Sequence, residues 1–338
     1  MVTIYDIAKQ CGVSSATVSK ALNDQSDVAA KTKERVKSTA DKLGYSPNAQ
    51  ARSLSTKRSN IIGIIFTDDK FLHPFWGNIL EHLRRELESI GYDMVFLSEN
   101  LKGIKGGYLE HCRWRSVDGV ILVSVDFEAE DVKKLLNSEI PCVLIDKESS
   151  NGTSIMSQNY EGTRNAVRYL IQCGHKKIGF VYGQEYATHV TRDRLKGFKS
   201  VMEEAGIEIR AEWLKASRYY QAKTTYEVVK SILELEDRPT ALLLPDDSAA
   251  SVCYQAAREL GLRIPEDISF IGNDGLFLES MLNPELTTIK QDMEQIGKES
   301  AHQIVRMAET QSAEKRSISI PTTLIKKGSV KQFEETPI

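Results

Sequence analysis

No apolar run in this chain approaches the roughly 20 residues that a membrane-spanning helix needs, and no charged segment leading into an apolar stretch opens it. A soluble, cytoplasmic protein with no membrane partner is expected. The five cysteines, at positions 11, 112, 142, 173 and 253, are odd in number and scattered, and none forms a C-x-x-C pair. That pattern argues against a disulfide framework and for buried, reduced thiols in a reducing cytoplasm. Enzyme signatures are missing as well. No G-x-G-x-x-G follows an expected strand, and neither a phosphate-loop motif nor a nucleophile elbow is present. The chain is therefore expected to be neither an enzyme nor a cofactor carrier. Its histidines, including His111 beside Cys112, lack metal-ligand spacing, so no metal site is expected. Gly103, Gly106 and Gly107 are an isolated loop signal.

What is present begins with charge. The 338 residues carry a net charge of -3, yet residues 1–60 hold ten Lys/Arg against five Asp/Glu, and the remainder 34 against 42. A basic head on an acidic body suits a polyanion partner for the head alone.

The head has a legible local plan. Ile4, Ile7 and Ala8 fall on one face of a short helix, and Thr3 with Asp6 reads as a capping box at its start. Gly12 supplies a tight turn, and Ser14 can cap the following helix. Val18, Ala21 and Leu22 then face inward, leaving Ser15, Ala16, Thr17, Ser19 and Lys20 outside. Two short helices joined by a Gly-containing turn form a helix-turn-helix, whose second helix enters the DNA major groove. Short hydroxyl side chains allow close approach to base edges, while Lys20 reaches a guanine or a phosphate. A third helix is expected from about Lys31 to Leu43, packed through Val36, Ala40 and Leu43. From spacing alone, an ordinary helical hairpin with a solvated face is an equal alternative.

Thr3-Ile-Tyr-Asp-Ile-Ala8, Gly12-Val-Ser14, Thr17-Val-Ser-Lys-Ala-Leu-Asn23 and Leu43-Gly-Tyr-Ser-Pro-Asn48 resemble the lac-repressor/galactose-repressor family of bacterial transcription regulators. The likeness extends through almost the whole chain. It implies a DNA-facing set of Thr3, Tyr5, Ser14, Ser15, Ala16, Thr17, Ser19, Lys20, Asn23 and Tyr45, the last donating its hydroxyl to a phosphate. The family usually places a capping Ser before the third helix, where this chain has Ala29. Pro47 to Ser55 resembles the family's hinge helix, which orders when two subunits meet over the minor groove. Leu54 then matches a leucine wedged between base steps, Ala51 gives close helix approach, and Asn48 and Arg52 lie near the backbone. Family members that tetramerise carry a C-terminal leucine heptad. The polar tail from Lys326 lacks one, so a homodimer is implied.

From Ile61 the pattern becomes strand–helix alternation. Strands are expected at Ile61–Phe66, Tyr92–Leu97, Val117–Ser124 and Ile140–Ile145. A second series follows at Lys177–Tyr182, near Trp213, at Thr240–Leu244 and at Asp267–Ile271. Helices lie between them, and a last helix, about Met293–Met307, crosses back to the first series. Two sets of comparable length imply two doubly wound parallel-sheet lobes. The expected architecture is an all-α helix-turn-helix head at 1–46, a hinge helix and linker at 47–60, and an α/β core at 61–338. The core resembles periplasmic sugar-binding proteins. Its first lobe is expected to span about 61–158 plus 290–325, and its second about 160–288.

Ligands in open α/β sheets gather at the carboxyl ends of strands. After the first strand lie His73, Phe75 and Trp76, beyond a loop longer than the family's, with Phe75 and Trp76 able to stack on a ring or to pack in the core. Arg194, before Leu-Lys-Gly-Phe, matches the family's effector-gripping arginine, and its planar fork can hold two hydroxyls or a carboxylate. Tyr220 matches a pocket aromatic. Asp246 stands where the family usually has Asn, and Asp274 matches a carboxylate that takes sugar hydroxyls or a ring nitrogen. A mutual salt bridge of Arg194 and Asp274 across the cleft is the structural alternative. Asp146, Gln158 and Asn159 are expected at the hinge between lobes.

The sequence thus points to a repressor that binds a near-palindromic double-stranded DNA operator. A small-molecule effector, a carbohydrate by expectation, would occupy the interlobe cleft at His73, Phe75, Arg194, Tyr220, Asp246 and Asp274. The alternative is a global carbon-catabolite regulator controlled by a phosphocarrier protein.

Overall fold

A computed structural model describes residues 2–45, 58–67, 73–103, 106–183, 189–311 and 315–333. The chain divides into two compact units, Met1–Ser59 and Asn60–Ile338.

In the first unit, α1 (Ile4–Cys11), α2 (Ser15–Leu22) and α3 (Ala30–Leu43) enclose a core of Ile7, Ala8, Cys11, Val18, Ala21, Val36 and Ala40. The Asp6 carboxylate accepts the Thr3 backbone N–H and hydroxyl, both at 2.8 Å, which fixes the start of α1. Gly12 ends that helix at φ +59°, a left-handed conformation that costs glycine little. Two residues on, the Ser14 hydroxyl accepts the Thr17 N–H at 3.1 Å and opens α2. Ala29 stands at the N-cap of α3 without a side-chain cap.

The second unit holds two six-stranded sheets. The first is built from β1 (Ile61–Phe66), β2 (Asp93–Phe96), β3 (Gly119–Val123), β4 (Cys142–Ile145), β5 (Thr153–Ser157) and β11 (Ser317–Ile320). Its order is β11-β5-β4-β3-β1-β2, parallel throughout. Helices α4 (Pro74–Ser89) and α11 (Met293–Thr310) cover one face, and α5 (Gly107–Arg115) and α6 (Glu130–Leu136) the other. Helices α4 and α11 lie so close that a Cβ at Gly297 would fall 2.8 Å from the Ile79 carbonyl oxygen.

The second sheet contains β6 (Ile178–Gly183), β7 (Leu214–Ser217), β8 (Ala241–Leu243), β9 (Ser269–Asp274), β10 (Thr287–Gln291) and β12 (Thr322–Ile325), ordered β12-β10-β9-β8-β6-β7. Only β12 runs antiparallel to its neighbour among these pairings. Helices α7 (Asn159–Gln172) and α8 (His189–Glu204) pack on one face, and α9 (Ala222–Leu233) and α10 (Ala250–Glu259) on the other.

Sheet membership changes three times along the chain: at Gln158 after β5, at Asp292 after β10, and at Pro321 between β11 and β12. Gln158 is tied to a second crossing by its N–H, which donates to the Ile320 carbonyl at 2.8 Å. The last crossing corrects the expected lobe limits, because β12 belongs to the second sheet and the first lobe ends at Ile320. Strands β5, β10, β11 and β12 were absent from the sequence expectation. Each is four or five residues long and rich in Thr or Ser, so none presents the apolar run by which a buried strand is recognised.

All five cysteines are buried and unpaired. Among the described residues no helix is long and apolar enough to cross a membrane.

Candidate functional site

Two sets of residues bear on function, one in each unit. On the helix-turn-helix, Thr3, Tyr5, Ser14, Ala16, Lys20 and Asn23 are exposed, while Ser15, Thr17, Ser19 and Tyr45 are partly buried. Tyr5 is 70% exposed, well beyond what packing requires of an aromatic ring. Tyr45 packs its ring on the three-helix core. Lys20 forms an ion pair with Asp27, both side chains about half exposed. A pair this exposed contributes at most about 1 kcal/mol, so a phosphate can displace Asp27. The expected hinge residues Asn48, Ala51, Arg52 and Leu54 lie outside the described residues.

In the core unit, the expected effector residues converge on the carboxyl ends of the strands. His73 is the N-cap of α4, its Nδ1 accepting the Phe75 N–H at 3.3 Å. From the other lobe Tyr220 follows β7 at φ +60°, and its ring lies 3.7 Å from that of His73, centroid to centroid. Phe75 stacks beyond, 6.5 Å from Tyr220. Phe75 and Trp76 are both buried in the first-lobe core, so packing and the aromatic wall draw on the same side chains.

Arg194 is only 5% exposed. Its Nε donates to Asn159 Oδ1 at 2.8 Å, one terminal nitrogen donates to the Pro245 carbonyl at 2.9 Å, and the guanidinium lies over the Tyr219 ring. Asp274 ends β9 with its Oδ1 accepting from Asn273 at 2.8 Å and Gln291 at 2.7 Å. No ion pair joins Arg194 to Asp274, so the salt-bridge alternative does not describe this cleft. Burial, reinforced by the Asp247 carboxylate and opposed by Arg194, pushes the Asp274 carboxyl well above its usual range.

The Asp246 carboxylate is held by donors of its own lobe. Its Oδ1 accepts the Ala249 N–H at 3.1 Å and the Ser248 hydroxyl, and its Oδ2 accepts the Tyr220 N–H at 2.9 Å. The carboxylate is thus occupied as a cap for a short 3-10 turn, and it touches the site through the Tyr220 backbone. An Asp here is explained by local donors, which its position after a strand did not reveal.

Several site residues were not anticipated in these roles. Asp146, expected at the hinge, follows β4 at φ +58°, and burial raises its carboxyl to about 6 while Arg194 opposes the shift. Asn159 orients Arg194 from the first turn of α7. Asp247 accepts the Gly275 and Leu276 N–H groups at 2.7 and 2.9 Å and the Thr288 hydroxyl at 2.7 Å, which braces the β9 end. Of the nine buried side-chain polar atoms that find no hydrogen-bond partner among the described residues, four are oxygens at strand ends: Asp146 Oδ1, Ser157 Oγ, Asp274 Oδ2 and Gln291 Oε1. All four sit at, or one residue past, the carboxyl end of β4, β5, β9 or β10. A buried polar atom left unsatisfied costs about 1–3 kcal/mol, so four at the carboxyl ends of strands make this a candidate ligand position.

Known proteins match this arrangement in both units. A model described as bacterial regulatory proteins, lacI family, matches residues 3–48, and one for a periplasmic binding protein-like domain matches 167–330. The transcriptional repressor PurR of Pasteurella multocida is 32% identical over 98% of this chain and 99% of its own length. PurR of Pectobacterium carotovorum is 34% identical over 98% and 97%. The chain belongs to the lacI family of bacterial regulatory proteins. Like these relatives, this lacI-family protein is a DNA-binding transcriptional repressor, and it is not an enzyme. A lac repressor dimer bound to operator and the anti-inducer ONPF superposes with a TM-score of 0.80 at 27% identity, covering 98% of this chain and 99% of that one. A CelR–cellobiose complex, at 23% identity and a TM-score of 0.70, shares the fold.

Proposed function

We propose that this repressor acts as a homodimer on a near-palindromic operator and that a carbohydrate held between the lobes sets its DNA affinity. The four unsatisfied strand-end atoms carry the reading. Three are carbonyl-type or carboxylate oxygens and the fourth is a hydroxyl, so the cleft asks mainly for hydrogen-bond donors. A polyol supplies donors in several directions, and Arg194 takes its oxygens. Aromatic faces at His73, Phe75 and Tyr220 pack against the apolar side of a sugar ring. An effector bound more tightly by one lobe arrangement shifts the population toward it, and through residues 47–60 changes the clasp on DNA. The two-fold symmetry of a dimer predicts half-sites of matching symmetry. The cytoplasm is the compartment in which such a protein meets its operator.

The aromatic wall favours a second reading, a flat nitrogen heterocycle stacked on Tyr220 and donating to Asp274. Thermal-shift titration of the full chain against sugars and purines decides between them, because a ligand that binds only the folded state raises its melting temperature. Stabilisation by a sugar, with altered operator binding in a gel shift, supports the carbohydrate. Stabilisation by a purine alone supports the heterocycle. Response to neither class, with a phosphocarrier protein retained on operator-bound repressor, overturns both readings.

A further inference from the structure

The first lobe contains a second cavity, of about 410 Å³, at the carboxyl ends of β1, β2 and β3 on the face covered by α5 and α6. It shares no lining residue with the interlobe site. Thr67, Glu99, Tyr108, Asp126, Glu130 and Asp131 line it, together with the apolar Ala129 and Val132. We propose that this cavity binds a small organic cation with two or more ammonium groups, an aliphatic diamine or polyamine.

Acidic residues alone would not justify a site, since Glu130 and Asp131 belong to the first turn of α6, where carboxylates favour the helix dipole. Two further observations separate this cavity from a solvated helix end. Tyr108 is 5% exposed and has no hydrogen-bond partner among the described residues, so its hydroxyl opens onto the cavity with no protein partner. Glu99, from the segment after β2, is exposed and has no ion-pair partner among the described residues. Burial, followed by the charges of Glu99 and Asp131, raises the Tyr108 hydroxyl above its ordinary value. Asp131 in turn rests against Gly107, where a Cβ would fall 2.2 Å from its Oδ2.

The spread of the carboxylates selects the kind of cation. Among the described residues, no group of three or more His, Cys, Asp or Glu side chains is placed to hold a metal ion. Positive charge divided between separated ammonium groups matches carboxylates drawn from three segments, after β2, after β3 and on α6. On α6 it replaces Lys133 and Lys134, 3.8 and 3.9 Å from Glu130 and Asp131, and the methylene chain lies on Ala129 and Val132. The volume lies within the range of small-molecule sites.

Calorimetric titration of the full chain with spermidine and with 1,4-diaminobutane, at 0.15 M salt, tests the assignment. Saturable binding at one site per chain is expected. Glu99→Gln should weaken it more than tenfold and Tyr108→Phe several-fold, while Glu234→Gln, which removes an exposed charge elsewhere, should leave it unchanged. Tyr108→Phe leaves net charge intact, so its effect separates a shaped site from diffuse attraction to an acidic body. Absence of saturable heat overturns the proposal, as does equal binding by wild type, Tyr108→Phe and Glu99→Gln. Binding of magnesium chloride with the same sensitivity to these variants overturns the choice of an organic cation.

Discussion

His73 and Tyr220 face one another from opposite lobes, with ring centroids 3.7 Å apart and planes inclined by 33°. Each ring is held from behind. His73 caps α4 through its Nδ1, and Tyr220 is fixed by the Asp246 carboxylate on its backbone N–H at 2.9 Å. The contact therefore joins two separately anchored elements, and a shift of one lobe against the other must change it. Aromatic pairs of this kind contribute about 0.5–1.5 kcal/mol beyond their burial, comparable to the coupling energies that distinguish two lobe arrangements.

Tyr220→Ala removes that contact and one wall of the cleft. The ligand that stabilises the wild type in the thermal-shift panel should bind at least tenfold more weakly to the variant. Operator affinity without ligand should change by no more than about tenfold, the most that a lobe contact of about 0.5–1.5 kcal/mol can shift. Fluorescence anisotropy on operator DNA, with and without ligand, reads both quantities. A variant that keeps its ligand affinity would remove Tyr220 from the site.

Asp274 and Asp247 are neighbours with opposite roles. Asp274→Asn keeps the shape and removes an ionisable group whose charged form the buried site disfavours, so stability should be unchanged or raised. Ligand affinity should fall by ten- to a hundredfold, since the oxygen left without a protein partner is the acceptor offered to the ligand. Asp247→Ala instead strands two backbone N–H groups and the Thr288 hydroxyl, and should cost about 3 kcal/mol or more in urea unfolding.

These two aspartates show what could be read from the chain itself. The head was legible because its signals are local. Thr3 with Asp6, Gly12 and Ser14 each act within three or four residues, and each is found in place. The two-lobed alternation was equally plain, since strands such as Ile61–Phe66 and Gly119–Val123 are almost wholly apolar. What escaped was polar and long-range. Asp247 is bonded to residues 28 to 41 positions away, and Asn159 meets Arg194 across 35. No periodicity announces such partners. Likewise Thr287-Thr-Ile-Lys-Gln291 buries hydroxyls where an apolar run was sought.

Ala29 offers a test of the head by gain rather than loss. It occupies the N-cap of α3 at φ -58° and ψ 139° with no side-chain acceptor for the first-turn N–H groups. Ala29→Ser supplies one, and should stabilise the three-helix unit by about 0.5–2 kcal/mol. Slower amide hydrogen exchange of residues 30–43 in the full chain checks this. Unchanged exchange would mean that another group already serves those amides.

Asp146 predicts a pH dependence of definite sign. Its carboxyl titrates at about 6 in the folded protein against an ordinary 3.8, because burial disfavours the ionised form. Below the ordinary value the group is protonated in both folded and unfolded chains, and nothing is lost. As pH rises from about 4 to 6 the unfolded chain releases the proton first, so stability falls, and above 6 the full cost of about 3 kcal/mol persists. Asp146→Asn removes the titration, and Asn tolerates the positive φ found here. The variant should therefore unfold at higher urea concentration than wild type at pH 7.5, with the difference closing near pH 4. Equal stabilisation at both pH values would assign the gain to packing instead. Ligand binding should follow the opposite course: a ligand that donates to the bare Asp146 Oδ1 meets an ionised acceptor at pH 7.5, and the variant should bind it more weakly there.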